Sequence, residues 1–193
     1  MGTIRILGID PSLNSFGIAK TVVDLKTMEV IADEVYVIQP DKADAVTKKI
    51  VRKNSDDLRR ATWLQSKMIE ACEGFDLVAV EMPVGSQSAR AMASYGIVIG
   101  VLSSCSTPMI EVTATEVKLA GAGSKTATKR EMIDWGTRKH PDAGWKTVKR
   151  KGNVELVASN EHAADALAAV YAALDTVQFK SITMMFNKIN KVA

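Results

Sequence analysis

The chain has 193 residues, 47% apolar and 24% charged, with a formal net charge of +3, which suits one soluble domain over 1–193 with a substantial core. Its longest apolar stretch, Ile97 to Leu102, is far too short to span a bilayer, and its N-terminus runs straight into a strand-like segment rather than a basic leader and hydrophobic signal core. The two cysteines, Cys72 and Cys105, form no C-x-x-C, so a disulfide scaffold or zinc site is not expected and the expected setting is a reducing, cytoplasmic one without membrane contact.

Residues 3–10, 16–23 and 30–39 read as three strands joined by short polar turns, which force antiparallel pairing. A polar linker and a helix follow over 40–73. From Asp56 to Ala71 the spacing places Leu58, Ala61, Leu64, Met68 and Ala71 on one face. The run Phe75 to Glu81 is a fourth strand. Ser86 to Cys105 is a helix whose small residues, including Ala89, Ala93, Gly96 and Gly100, allow close packing. Pro108 to Thr113 is a fifth strand, short helices are expected near 115–120 and 126–138, and 139–159 reads as an irregular basic loop carrying Trp145. Ser159 or Asn160 caps a last long helix running to about Asp175. The tail 178–193 mixes apolar residues with lysines, as in a short amphipathic helix or a loosely ordered, peripheral end. A three-strand meander followed by alternating helices and strands predicts an α/β fold: a five-stranded mixed sheet flanked by helices.

Two of these strands end in carboxylates. Ile4 to Ile9 runs into Asp10 and then Pro11, and Leu77 to Val80 runs into Glu81 and then Met82-Pro83, so both acids stand at the rim of a rigid sheet. His162 and Asp165 are three apart on the last helix and share a face. Taken singly, each acid is better explained as a cap or a surface pair; together they form an oxygen-rich set of the kind that holds Mg²⁺ or Mn²⁺. The charge is uneven: Lys118 to Lys151 carries a local +7 and Lys42 to Arg60 a local +4, leaving the rest of the chain, with the acids, net negative. Basic segments around an acidic centre suit a polyanion held while a cation-loaded site acts on it. Gly121 to Thr126 is not a nucleotide loop: position 124 is Ser where the pattern needs Gly, and position 119 is Leu. It reads instead as a flexible basic loop.

Gly8-Ile9-Asp10-Pro11-Ser12 with Gly17-Ile18-Ala19, then Val80-Glu81, then Thr115-Glu116-Val117-Lys118 with Gly121 to Lys125 and Lys129, then Glu161-His162-Ala163-Ala164-Asp165-Ala166-Leu167-Ala168, resemble in order the motifs of the RuvC-type Holliday-junction resolvases of the RNase H-like superfamily. The resemblance covers most of 3–175. It implies an RNase H-like fold and a crossover junction endodeoxyribonuclease that nicks branched DNA, leaving 5′-phosphate and 3′-hydroxyl ends. It also implies a two-fold homodimer, and the small-residue helix over 86–105 is a candidate for part of that interface. Asp10, Glu81, His162 and Asp165 would be the ligands of two Mg²⁺ or Mn²⁺ ions, with His162 as ligand or as acid/base. Lys118 and Lys129 would stabilise charge on the scissile phosphate, and Ser12, Lys118, Lys125, Lys129 and Arg130 would contact DNA. The chain departs from the family where cellular members often carry an aromatic wedge, here Met82-Pro83-Val84-Gly85-Ser86, and in longer stretches at 40–60 and 139–158. A viral or plasmid-borne relative is one reading of these departures. Rival readings are a broader flap, branch or RNA-directed nuclease on the same fold, an actin-like or sugar-kinase-like ATPase, for which 193 residues are too few, and a non-catalytic nucleic-acid-binding module.

Overall fold

Runs rich in Val and Ile build an antiparallel meander of β1 (Thr3–Ser12), β2 (Ser15–Asp24) and β3 (Val30–Ile38). The computed structural model describes residues 2–41 and 53–189; positions 42–52 of the expected linker and basic segment, and the last four of the tail, lie outside the described residues. Helix α1 (Lys53–Cys72) leads to β4 (Leu77–Glu81), α2 (Ala89–Leu102) to β5 (Met109–Val112). Strand β4 lies parallel to β1, and β5 parallel to β4, giving the order β3-β2-β1-β4-β5. The expected mixed five-stranded sheet, antiparallel in strands 1–3, is present. After β5 come α3 (Ala114–Ala120), α4 (Lys129–Lys139), a two-stranded ribbon of β6 (Thr147–Arg150) and β7 (Asn153–Leu156), α5 (Asn160–Asp175) and α6 (Val177–Ile189).

The period of two along the central strands sorts the core into two layers. Leu7, Ile9, Phe16, Ile18, Val78 and Val80 face α1 and α2, meeting Leu64, Met68, Val98 and Leu102. Ile4, Ile6, Val23, Leu77 and Ala79 face α5, meeting Ala168, Val170 and Ala173. Helix α5 is buried along most of its length, and alanines line it because the sheet comes very close. A Cβ on Gly8 would lie 2.1 Å from the Ala166 carbonyl oxygen, and one on Gly17 would lie 1.8 Å from the His162 carbonyl oxygen. The two glycines let the helix backbone rest directly on β1 and β2.

Two local expectations are corrected. Leu58, expected on the buried face of α1, is 68% exposed. Its neighbour Asp57 is buried instead, because Arg90 of α2 forks onto it at 2.5 and 2.6 Å and satisfies both carboxylate oxygens. The basic stretch 139–159 is not wholly irregular. Lys151 and Gly152, both at positive φ, form a tight turn that folds 147–156 into the ribbon. The tail takes the helical alternative: α6 is a helix, and its Phe179 is fully buried in the α5 layer. Cys72 and Cys105 are free thiols whose sulfurs lie 3.1 Å apart. Among the described residues, no helix is long and apolar enough to cross a membrane.

Gly8→Ala and Gly17→Ala each insert a methyl into backbone atoms that cannot yield, so each is expected to destabilise the fold by about 3 kcal/mol. Gly85→Ala, whose added Cβ meets nothing within 4 Å, should stay within about 0.5 kcal/mol of the parent. Urea denaturation midpoints at unchanged slope measure the difference.

Candidate active site

In the parallel pair β1–β4, Ile6 lies opposite Leu77 and Ile9 opposite Val80, so Asp10 and Glu81 follow side by side at the same end of neighbouring strands. Asp10 shares its strand face with Ile6 and Gly8, and Glu81 with Leu77 and Ala79, so both acids lie on the α5 side of the sheet. The first turns of α5 carry His162 and Asp165 on one face. The close seating on Gly17 brings His162 Nδ1 to 2.6 Å from Asp10 Oδ2, joining residues 152 apart in sequence.

The four groups feel one another. Burial, reinforced by Asp10 and Asp165, pushes the Glu81 carboxyl up to about 8, against the opposing pull of Lys118 and His162. Burial, reinforced by Asp10 and Glu161, pushes Asp165 up to about 7, with His162 and Lys118 again opposing. The hydrogen bond to Asp10 raises His162 above the ordinary imidazole value despite burial. Asp165 Oδ1 is buried without a hydrogen-bond partner. Three crowded carboxylates, one with an orphaned oxygen, form a set short of positive charge, and hard oxygen donors with one imidazole are the chemistry that Mg²⁺ or Mn²⁺ accepts. The donor set therefore fits the expected metal. The side chains are not drawn into a cage as they stand: among the described residues, no three His, Cys, Asp or Glu groups are gathered tightly enough to hold an ion. Asp10 is instead turned to His162.

The basic candidates fall into three groups. Lys118, half-buried in the last turn of α3, lowers the pKa of both Glu81 and Asp165, so its charge acts on the acid cluster. Lys129, first residue of α4, is ion-paired with Glu161, and its pKa is raised by that pair and further by Asp165 and Asp10. Lys125 is exposed in the turn before α4, and Arg130 is exposed on α4, reaching Asp134 at 3.7 Å. Ser12 is committed to the β1–β2 turn: its hydroxyl donates to the Ser15 carbonyl at 2.8 Å and accepts from the Ser15 amide at 3.1 Å.

Two residues gain their roles only from the structure. Glu161 holds Lys129 beside the acids, and its position directly before His162 is the available signal in the sequence. Asn160, expected as a possible cap, is buried; its side chain accepts from the Lys146 amide at 3.2 Å and donates to the Lys146 carbonyl at 2.8 Å. Ser159 is the N-cap residue, without a side-chain capping bond.

No family model matches the chain. A curated crossover junction endodeoxyribonuclease RuvC from Prochlorococcus marinus (strain MIT 9303) is 27% identical over 165 residues, covering 86% of this chain and 94% of that one. Two solved structures share the fold. Thermus thermophilus RuvC in complex with Holliday junction substrate matches with a TM-score of 0.60, and Thermus thermophilus RuvC with 0.57; each is 19% identical and covers 88% of this chain and 92% of the other. The resemblance to RuvC and the RNase H-like architecture read from the sequence both hold.

Glu81 and Asp165 titrate above ordinary carboxyls, so the folded state holds them best when protonated, and their contribution to stability falls as pH rises towards 7–8. The raised His162 runs the same way: its charged pair with Asp10 stabilises at low pH and is lost as pH rises through its folded value. Millimolar Mg²⁺ or Mn²⁺, which takes the ionised acids, is expected to raise the melting temperature more at pH 8 than at pH 5.5. Thermal melts at the two pH values check this, and the gain should disappear in the Glu81→Gln, Asp165→Asn double variant.

Proposed function

We propose that the chain is a divalent-metal-dependent endodeoxyribonuclease that resolves branched DNA, Holliday junctions foremost, by paired nicks. The observation that carries the reading is the meeting of Asp10 with His162, with Glu81 and Asp165 alongside, in the order of the RuvC motifs. The 27% identical relative, named a crossover junction endodeoxyribonuclease, supports the reaction class. The junction bound to the Thermus thermophilus protein supports the substrate.

Asp10, Glu81 and Asp165 would hold two Mg²⁺ or Mn²⁺ ions, which when bound activate water and offset charge on the leaving oxygen. Around them the chain supplies the rest. Asp10 engages His162 at Nδ1, which orients the imidazole and leaves Nε2 to hold a ligand or move a proton. Lys118 offsets negative charge that builds on the scissile phosphate. Lys129, kept in place by Glu161, does the same from the other helix, and Lys125 and Arg130 position the DNA backbone. The stretch 82–86 carries no aromatic wedge, which favours some tolerance among branched substrates.

A dimer places two such centres on opposed strands of one junction. Helix α2 supports this: Met92, Gly96, Ile99 and Gly100 recur at helical spacing and are all exposed, an apolar and closely approachable stripe. Ile99→Glu is expected to shift the protein from dimer to monomer in sedimentation while leaving its circular dichroism unchanged.

The main test is cleavage of a mobile four-way junction, a flap, a plain duplex and an RNA–DNA hybrid with Mg²⁺ or Mn²⁺. The junction should be cut first. Asp10→Asn should lower the rate by about a hundredfold or more, the loss of several kcal/mol of transition-state stabilisation. Equal cleavage by the variant, or none of any substrate by the parent, removes the reading.

A further inference from the structure

The β6–β7 ribbon is not used by the acid cluster and does not serve the core. Thr147 lies opposite Leu156, Val148 opposite Glu155, Lys149 opposite Val154 and Arg150 opposite Asn153. Nine of the ten residues 147–156 are exposed and Val148 is half-buried; Val154 keeps 64% of its surface. Isolated two-stranded hairpins are marginal in water, so this one depends on its root. On one side of the root, Trp145 packs over Gly136 and donates from Nε1 to the His140 carbonyl at 2.8 Å. On the other, buried Asn160 of α5 clasps the Lys146 backbone through two hydrogen bonds. The ribbon thus stands on the first residue of the helix that carries His162 and Asp165. Lys146, Lys149, Arg150 and Lys151 give it four cations against the single acid Glu155. Along the pairing register Lys149 and Arg150 point to opposite faces, with Lys151 at the tip. A two-stranded ribbon has the width that a duplex groove admits, and its cations would then meet phosphates on both sides.

We propose that the β6–β7 ribbon is a DNA-gripping arm, docked against one duplex arm of the substrate with Lys149, Arg150 and Lys151 on its phosphates. The identity of the ligand as DNA rests on the nuclease reading above; the grip itself is a separate matter and is tested without cleavage.

In an Asp10→Asn background, binding of a plain duplex and of a four-way junction is measured by fluorescence anisotropy across a salt series. Changing Lys149, Arg150 and Lys151 together to Ala is expected to weaken duplex binding about tenfold at 0.1 M salt. The same change should flatten the slope of log affinity against log salt by about 2 to 3, nearly one for each phosphate left without its cation. Glu155→Lys, which adds a cation to the ribbon, should steepen that slope, a gain that misfolding cannot mimic. Lys26, Lys67 and Lys180, on the β2–β3 turn, α1 and α6, changed together to Ala, remove the same net charge elsewhere. An equal flattening in this control, or an unchanged slope in the ribbon variant, overturns the arm. Flattening specific to the ribbon upholds it even if the parent protein cuts no substrate.

Discussion

The candidate site depends on one close contact, the seating of the α5 backbone on β1 and β2. At Gly17 the carbonyl oxygen of His162 occupies the place of a side chain, and at Gly8 the carbonyl of Ala166 does so. Each additional carbon at these positions would lift the helix off the sheet, and with it the side chains of His162 and Asp165. The alanines of α5 belong to the same constraint, since a helix this close to a sheet has no room for longer side chains on its inner face. The contact that fills the core is therefore also the one that sets the distance between Asp10 and the histidine.

That seating has an electrostatic cost. Glu81 and Asp165 are buried beside other acids, and both carboxyls are driven far above their ordinary values. A fold selected for stability alone would separate such groups or replace them with apolar residues. Here only part of the charge is answered within the protein, by Lys118 and His162 towards Glu81 and Asp165 and by His162 towards Asp10. The unanswered remainder, including the orphaned Asp165 Oδ1, is the charge that a divalent cation would answer under the proposed function. The crowding that costs stability is the same crowding that a bound cation would relieve.

Much of this is legible in the sequence, for identifiable reasons. The strands announce themselves by apolar runs that stop at Pro11 and Pro83, and a strand period of two places Asp10 with Gly8 and Glu81 with Ala79 once the sheet order is known. Gly17 is visible as a motif residue, but its role as a seat for His162 is a tertiary fact that spacing cannot show. Helical periodicity misplaces Leu58 because it treats an acid as solvent-facing, whereas Asp57 finds Arg90 on another helix and is buried by that pairing. The ribbon escapes a reading by pattern because its strands are short and polar and its turn is Lys-Gly rather than Asn-Gly. What holds it is Asn160, whose side chain acts on a backbone 14 residues away. Ser12, read in the motif as a DNA contact, also closes the β1–β2 turn with its hydroxyl.

The ribbon and the acids share α5 as a common base. Asn160 roots the ribbon at the first residue of the helix, His162 and Asp165 follow within one and a half turns, and the helix behind them is clamped by Gly8 and Gly17. A polyanion held on the ribbon would therefore pull on a rigid element rather than on a loop. An arm of a branched substrate lying along the ribbon would be held at a fixed attitude to the acids, while arms of another geometry would be held in the wrong place. In such an arrangement, selectivity for a branch does not require an aromatic wedge between the bases; it can arise from the angle between a grip and a reactive centre built on the same helix.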